Sequence, residues 1–281
     1  MGKKVAVITG ASSGIGLLTS VELARRGYQV VALVRDLGRR TYLDEAAAGA
    51  GVTPGIDVRR LDVTDFPAIP GAVEGIARDH GRIDVLVNNA GFAMAGFAED
   101  LRLGELRQQL ETNFFGHVEM TKAALASMRT QRSGHIIMVS SVSGRVGQPV
   151  LSSYSASKFA LEGWSESLRL ETRGLGIRVV LVEPGAFKTD IWTRNVRVGQ
   201  FAMTKESPNH QRGARFSDFV MSHLPNHDAG PVARLIADIA DHPTPRLRYM
   251  IGKDAFAQVW LKRLLPWNLY ERLIGKAVHI D

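Results

Sequence analysis

The sequence predicts an α/β fold, a doubly wound parallel sheet of about seven strands with helices on both faces. Three observations predict it. Short apolar, β-branched runs alternate with segments of helical period along the chain. The first run, Lys4 to Gly10, is apolar enough to be buried on both faces. That run leads into Gly10-Ala-Ser12-Ser13-Gly14-Ile15-Gly16, a glycine-rich turn at the head of a helix. A chain of 281 residues, 45% hydrophobic and 22% charged, suits one large domain better than two small ones.

In order, Leu17, Val21 and Leu23 to Arg26 carry the first helical pattern, Gly27 fits its C-cap, and Gln29 to Val34 is the second strand. Glycines let the main chain approach a phosphate, and the helix N-terminus presents N–H groups to it. The spacing is GxxxGxG rather than GxGxxG. A tight turn is the plainer account of such a loop, but its place between a buried strand and a helix favours phosphate. The second strand ends Val34-Arg35-Asp36. In a dinucleotide site an acid here binds the ribose 2′-hydroxyl and an Arg accepts a 2′-phosphate. Arg39 and Arg40 tilt the balance toward phosphate, with Asp36 as ribose ligand the alternative.

A Gly/Pro loop from Gly49 to Gly55 precedes a third strand, Arg59 to Val63, which includes Asp62. Asp65 and Pro67 or Pro70 open a helix that reaches His80-Gly81. Asp84 to Val87 is the fourth strand, ending in Asn88-Asn89-Ala90-Gly91 at an edge where open α/β sheets bind ligands. Leu101 to Arg129 is mostly helical, with Asn113 midway, facing either solvent or a functional interior.

His135 to Val139 and Ile177 to Val182 are further strands, the latter followed by Glu183-Pro184-Gly185. Residues 186–228 show no clean period and hold Trp192, Phe201, Met203, Phe216, Phe219 and Met221, the pattern of a lid or binding loop. Pro231 to Ala240 is helical and Arg246 to Ile251 is the last strand. The division expected is a domain over 1–252 and an amphipathic tail over 253–281, whose apolar face is broken once at Pro266.

The stretch Ser140 to Lys158 organises the rest. A strand ends near Ser140, and a helix follows from Ser153 to Arg173. Tyr154 and Lys158, four apart, share one helix face. A Lys ammonium beside a phenol favours the phenolate, lowering its pKa from ~10 and making Tyr154 a candidate acid/base. Tyr-x-x-x-Lys arises by chance in roughly one such chain in six, so its weight comes from its company.

Cysteine is absent, so disulfides and thiolate metal sites are excluded, and a cytoplasmic location is expected. No apolar run is long enough to span a membrane, and the chain enters a strand at once, so no signal peptide is expected. The net charge of +7 is scattered, without the aromatic–basic repeat of a nucleic-acid groove. It suits an anionic cofactor or a membrane surface.

Taken together, Thr9-Gly-Ala-Ser-Ser-Gly-Ile-Gly16, Asn88-Asn-Ala-Gly91, Asn113, Ser141, Tyr154-Ser-Ala-Ser-Lys158, Pro184-Gly185 and Thr189 resemble the short-chain dehydrogenase/reductase family over about residues 3 to 252. Arg35-Asp36-Leu37 and Lys158-Phe-Ala-Leu-Glu-Gly163 look more like its estradiol 17-beta-dehydrogenase and retinol dehydrogenase branch. The resemblance implies a Rossmann-type sheet and hydride transfer between a nicotinamide and a carbonyl or carbinol carbon, with no metal. It implies that Tyr154 exchanges a proton with the substrate oxygen, that Ser141 hydrogen-bonds that oxygen, and that Lys158 lowers the Tyr154 pKa and binds the ribose. Asn113 would hold a water linking Lys158 to solvent. Gly10, Ser12, Ser13, Gly14, Ile15 and Gly16 would cradle the cofactor, with Arg35, Asp62, Val63, Asn89, Ala90 and Gly91 on its adenosine side. Pro184, Gly185 and Thr189 would lie by the carboxamide.

The expectation is an NADP(H)-preferring alcohol dehydrogenase or ketone reductase for a bulky apolar substrate such as a steroid, retinoid or lipid. Phe187, Trp192, Phe201 and Met203, with Phe256 and Trp260 of the tail, would wall the pocket. The tail could instead pack a private core, or lie on a membrane through Lys253, Lys262, Arg263, Arg272 and Lys276. The alternatives are a 3-oxoacyl reductase acting on a carrier protein and a dinucleotide-binding sensor or scaffold. A homodimer or homotetramer is expected, joined by the long helices ending near Arg129 and Arg173.

Overall fold

The computed structural model describes residues 2–278; positions 279–281 of the expected tail lie outside them. The chain begins β1 (Val5–Thr9), α1 (Gly14–Arg25), β2 (Gln29–Val34), α2 (Thr41–Gly49), β3 (Ile56–Arg60) and α3 (Ala68–His80). It continues through β4 (Val85–Asn88), the short β5 (Ala93–Ala95), α4 (Leu103–Leu110), a π-helical turn (Glu111–Phe115) and α5 (Gly116–Gln131). Then come β6 (Gly134–Val139), α6 (Ser152–Thr172), β7 (Ile177–Pro184), β8 (Val196–Val198) and α7 (His210–Ser222). It closes with α8 (Gly230–Asp241), β9 (Arg248–Ile251), α9 (Lys253–Leu264) and α10 (Trp267–Ala277).

Seven strands form one parallel sheet in the order β3-β2-β1-β4-β6-β7-β9. The winding reverses between β1 and β4, which opens a crevice at the carboxyl ends of the strands. Side chains alternate between two cores. Ile8, Val30, Ile137 and Val180 meet Leu23 of α1 and Ile236 of α8 on one face. Val7, Leu33, Ile136 and Val179 meet Ile69 of α3, Met120 of α5 and Leu161 of α6 on the other. Burial on both faces explains why these strands read as continuous apolar runs. Each fully buried aliphatic side chain contributes about 1.5–3 kcal/mol.

Four expectations are refined. β3 runs over Ile56–Arg60 rather than Arg59 to Val63, because its register pairs Val30 with Ile56 and Val34 with Arg60. Leu61, Asp62 and Val63 therefore leave the strand and enter the crevice. α2 was not anticipated; it buries only Leu43 and Ala47. Residues 186–228 are ordered: β8 pairs with β5, Lys188 N–H donates to His227 O at 2.8 Å, and Ser207 Oγ donates to Asp100 Oδ1 at 3.0 Å. The tail is two helices broken at Leu265-Pro266, where Pro cannot continue the first. Among the described residues no helix is long and apolar enough to cross a membrane.

Candidate active site

The crevice is a cleft of about 410 Å³ at the carboxyl edge of the sheet. Its glycine loop joins β1 to α1. Gly10 and Gly14 lie at φ 65° and 54°, in the left-handed region that favours glycine. A Cβ on Gly16 would stand 2.4 Å from both Asn89 Nδ2 and Gly10 O, so this position has no room for a side chain. Gly16 thus supports the loop from behind, while Gly10, Ser12, Ser13, Gly14 and Ile15 line the cleft. The Ser13 hydroxyl makes no cap bond to α1, and the first turn of that helix carries no acid. Its N–H groups and positive end face the cleft with no resident carboxylate, which fits a bound pyrophosphate.

Asn89 clasps this loop to β4. Its Nδ2 donates to Thr9 O at 2.9 Å and Gly10 O at 3.2 Å, while Asn89 N–H and Ala90 N–H donate to Thr9 Oγ1 at 2.9 and 3.0 Å. Asn89, Ala90 and Gly91 line the cleft, as do Asp62 and Val63 beyond β3. Asp62 Oδ1 accepts from Thr64 N–H and Oγ1, fixing that turn. Behind Ala90, His117 Nε2 lies 2.7 Å from its carbonyl. Burial, with Lys158 nearby, pushes the imidazole down to about 3, so it stays neutral.

At the end of β2, Arg35, Asp36 and Arg39 line the cleft. Asp36 Oδ1 accepts from Gly38 N–H at 2.9 Å, capping a short 3-10 turn. Arg40 turns away to pair with Asp44 at 2.7 Å, so it adds no charge to the cleft. Two more guanidiniums, Arg194 and Arg197, enter from the lid, Arg197 stacked 4.4 Å from the Phe92 ring centroid. Sequence reasoning missed both. Their signal was faint, two basic residues shortly after Trp192 in a segment without period.

Ser141, Tyr154 and Lys158 line the same cleft at the end of β6. Tyr154 and Lys158 occupy the first turns of α6 and are buried. Lys158 Nζ donates to Val139 O at 2.8 Å and stands 5.7 Å from the Tyr154 ring centroid. Burial pushes the ammonium down to about 8, with Glu162 acting against it. The phenol moves opposite to the sequence expectation: burial pushes it up to about 12, and the Ser141 hydroxyl offsets only part. The cause is the burial of the phenol, which disfavours its charged form, while a Lys158 N–H is spent on Val139 O.

Asn113 also lines the cleft, buried in the π-helical turn between α4 and α5. Its Nδ2 donates to Phe92 O and to Ser157 Oγ at 3.3 Å, and its Oδ1 accepts from Phe92 N–H. Gln109, also missed, straps the same segment, accepting from Met94 N–H at 2.7 Å and donating to Phe92 O at 2.8 Å.

Pro184, Gly185, Thr189, Phe187 and Trp192 complete the lining on the β7 side. Trp192, Ile191 and Ala95 pack on Ala93, Leu151 and Tyr154, an apolar wall beside the phenol. The other proposed wall residues do not reach it. Phe201 and Met203 stay outside the lining, Met203 exposed, because β8 carries them past the mouth. Phe256 and Trp260 point to solvent, since α9 turns its other face inward.

Comparison with known proteins accords with this arrangement. The family model described as short chain dehydrogenase matches residues 4–197. The uncharacterized oxidoreductase YusZ of Bacillus subtilis (strain 168) is 40% identical over 278 residues, 98% of this chain and 99% of that protein. Retinol dehydrogenase 8 of Homo sapiens is 43% identical over 190 residues, 66% of this chain and 60% of that protein. A metagenomic short-chain oxidoreductase crystallised with NADP superposes with a TM-score of 0.70 at 26% identity, over 89% of this chain and 97% of the other. Likeness of this extent, over the residues from which the cleft is built, makes the chain a member of the short-chain dehydrogenase family, an oxidoreductase.

Proposed function

We propose that this oxidoreductase uses NADP(H) to interconvert a bulky, largely apolar alcohol and its ketone or aldehyde. The observation that carries this is one continuous cleft, running from Arg35 and Arg39 at the end of β2 to Ser141, Tyr154 and Lys158 at the end of β6. A bound nicotinamide supplies or accepts the hydride. The chain's own residues do the rest. The first turn of α1 and the glycine loop hold the pyrophosphate, and Arg35 holds a 2′-phosphate. Asp62, Val63, Asn89, Ala90 and Gly91 flank the adenosine, and Pro184, Gly185 and Thr189 the carboxamide.

Tyr154 gives its phenolic proton to the substrate oxygen in reduction and takes it back in oxidation. Ser141 orients that oxygen. Lys158 holds positive charge beside the phenol and binds ribose hydroxyls, and Asn113 fixes the helix break behind it. With the phenol pushed up to about 12, its protonated form, the one that donates to a carbonyl oxygen, dominates at neutral pH. Trp192, Ile191, Leu151 and Ala93 offer an apolar face with few polar groups, suited to a retinoid-, steroid- or lipid-like carbonyl. The name of retinol dehydrogenase 8 specifies such an alcohol. The enzyme works in the cytoplasm as a homodimer or homotetramer.

The deciding experiment is kcat/KM across carbonyl compounds with NADPH and NADH. Retinoid, steroid and long-chain carbonyls should outrun small charged keto acids and 3-oxoacyl thioesters, and NADPH should outrun NADH. A preference for small charged substrates would refute the apolar pocket, and absence of turnover would favour a sensor.

A further inference from the structure

The C-terminal helices have one committed face and one open face. Ala255, Val259, Leu261 and Tyr270 pack with Val142, Val146 and Met250 in a small core of their own. Lys262 belongs to that inner side: its Nζ donates to Arg145 O at 2.8 Å and lies over the Phe159 ring. The opposite side of α9 presents Phe256, Trp260 and Leu264, 47%, 51% and 70% exposed, one turn apart. Trp267, 61% exposed, follows at the start of α10, and Leu269 and Leu273 are exposed further on. This apolar surface is not the outside of a core, because the core it could serve is already filled from the other side.

Charge selects the occupant. The open face of α9 carries Lys253 and Arg263 beside its aromatics, Arg263 stacked 5.6 Å from the Trp260 ring centroid. The one acid of α9, Asp254, is turned inward to accept from Ala186 N–H at 2.7 Å. On α10, Arg272 and Lys276 are exposed, as is the one acid of that helix, Glu271. A second copy docking through a twofold axis needs a self-complementary patch. This face of α9 has no carboxylate to meet its own cations, and each chain carries a net charge of +7. Exposed Trp with Phe and Leu, rimmed by Lys and Arg, matches the interfacial zone of a negatively charged membrane.

We propose that the open face of α9, continued by Trp267 and the exposed side of α10, docks on an anionic phospholipid bilayer. The groove between α10 and the lid helix α7, whose lining includes Arg215, Asp218, Phe219, His223 and Lys276, would then lie beside the lipid surface. The proposal stands independently of the substrate.

The test is co-sedimentation of the full chain with vesicles of phosphatidylcholine alone or mixed with phosphatidylglycerol. The wild type should bind the mixed vesicles, weaken as salt rises, and bind phosphatidylcholine alone far less. Lys253→Gln with Arg263→Gln should weaken binding roughly twenty-five-fold, at about fivefold per cation. Trp260→Glu with Leu264→Glu should abolish it, while circular-dichroism melting stays at the wild-type temperature because both side chains are exposed. Wild type without affinity for the mixed vesicles, or variants that bind like wild type, would overturn the proposal. So would a light-scattering mass that halves in the Trp260→Glu, Leu264→Glu variant, which would assign the face to a second copy.

Discussion

Asn113 and Phe92 hold each other by two hydrogen bonds: Asn113 Oδ1 accepts from Phe92 N–H at 3.2 Å, and its Nδ2 donates to Phe92 O at 3.0 Å. This pairing joins the segment after β4 to the π-helical turn and leaves a Cβ on Gly91 only 3.1 Å from Asn113 Oδ1. The helix break and the Asn-Asn-Ala-Gly turn are therefore one feature. Asn113→Ala strands the buried Phe92 N–H, while Gln109 Nε2 still donates to Phe92 O, and should cost about 1–3 kcal/mol in urea denaturation. Turnover should fall further than the loss of folded protein explains, since Ser157 of α6 loses its hydrogen bond to the turn. An unchanged midpoint would show that the pairing does not bear on the fold.

The Tyr154 phenol, pushed up to about 12 by burial, is protonated through the neutral range. Reduction, which uses the protonated form, should stay flat with pH there. Oxidation, which uses the phenolate, should climb by about tenfold per pH unit until another step limits. Tyr154→Phe should bind NADPH, by quenching of protein fluorescence, yet lose turnover by orders of magnitude. Oxidation that is independent of pH would remove Tyr154 from the proton transfer.

The sheet and the cleft were legible for one reason: parallel strands buried on both faces write themselves as apolar runs, and a phosphate loop needs glycines at fixed places. The glycine loop, Ser141, Tyr154 and Lys158 accordingly come together along one cleft. What escaped depends on long-range contact. Thr9, Gln109 and His117 read as ordinary polar residues until the fold brings Thr9 to Asn89, 80 positions away, or Gln109 to Met94. The Tyr154 shift runs against the expectation because spacing shows that Lys158 is a neighbour but not how deeply the phenol is buried. The tail was legible as amphipathic, whereas which face turns inward depended on the loop from Val142 to Val146, distant in sequence.

Arg35 and Arg39 flank the end of β2, and Asp36 is occupied in its own turn. A charge-assisted contact from Arg35 to a 2′-phosphate contributes about 1.5–3 kcal/mol. Arg35→Ala should therefore lower the NADPH-to-NADH ratio of kcat/KM roughly tenfold to hundredfold. An unchanged ratio would transfer the choice to Arg39, Arg194 or Asp36.

Trp192 covers the apolar wall beside Tyr154. Trp192→Ala should cost about 1.5–3 kcal/mol of contact with a bulky substrate. That is roughly a tenfold to hundredfold loss in kcat/KM. A small ketone, which leaves the wall uncovered, should be little affected. Equal losses on both substrates would make Trp192 a scaffold residue instead.

Arg248, half-buried, faces two buried carboxylates behind the site. It lies 3.0 Å from Glu183 and 3.1 Å from Glu162, and it also pairs with Glu166. The only other cation paired with Glu183 among the described residues is Arg145, at 3.2 Å. Burial, reinforced by Glu183, pushes the Glu162 carboxyl up from 4.5 to about 7. A raised carboxyl favours the native state while it is protonated, so its contribution is whole below 4.5 and is lost as pH rises through about 7. Arg248→Met keeps much of the volume but leaves Glu162 and Glu183 without their shared cation, a change that costs about 3–5 kcal/mol when buried carboxylates are ionised. The penalty should shrink on the acid side, where Glu162 takes up a proton and no longer needs a partner. Urea midpoints of wild type and variant, measured at intervals between pH 5 and pH 8, should diverge as pH rises. Parallel midpoints across that range would mean that Arg248 acts by packing its stem rather than by holding two carboxylates in place.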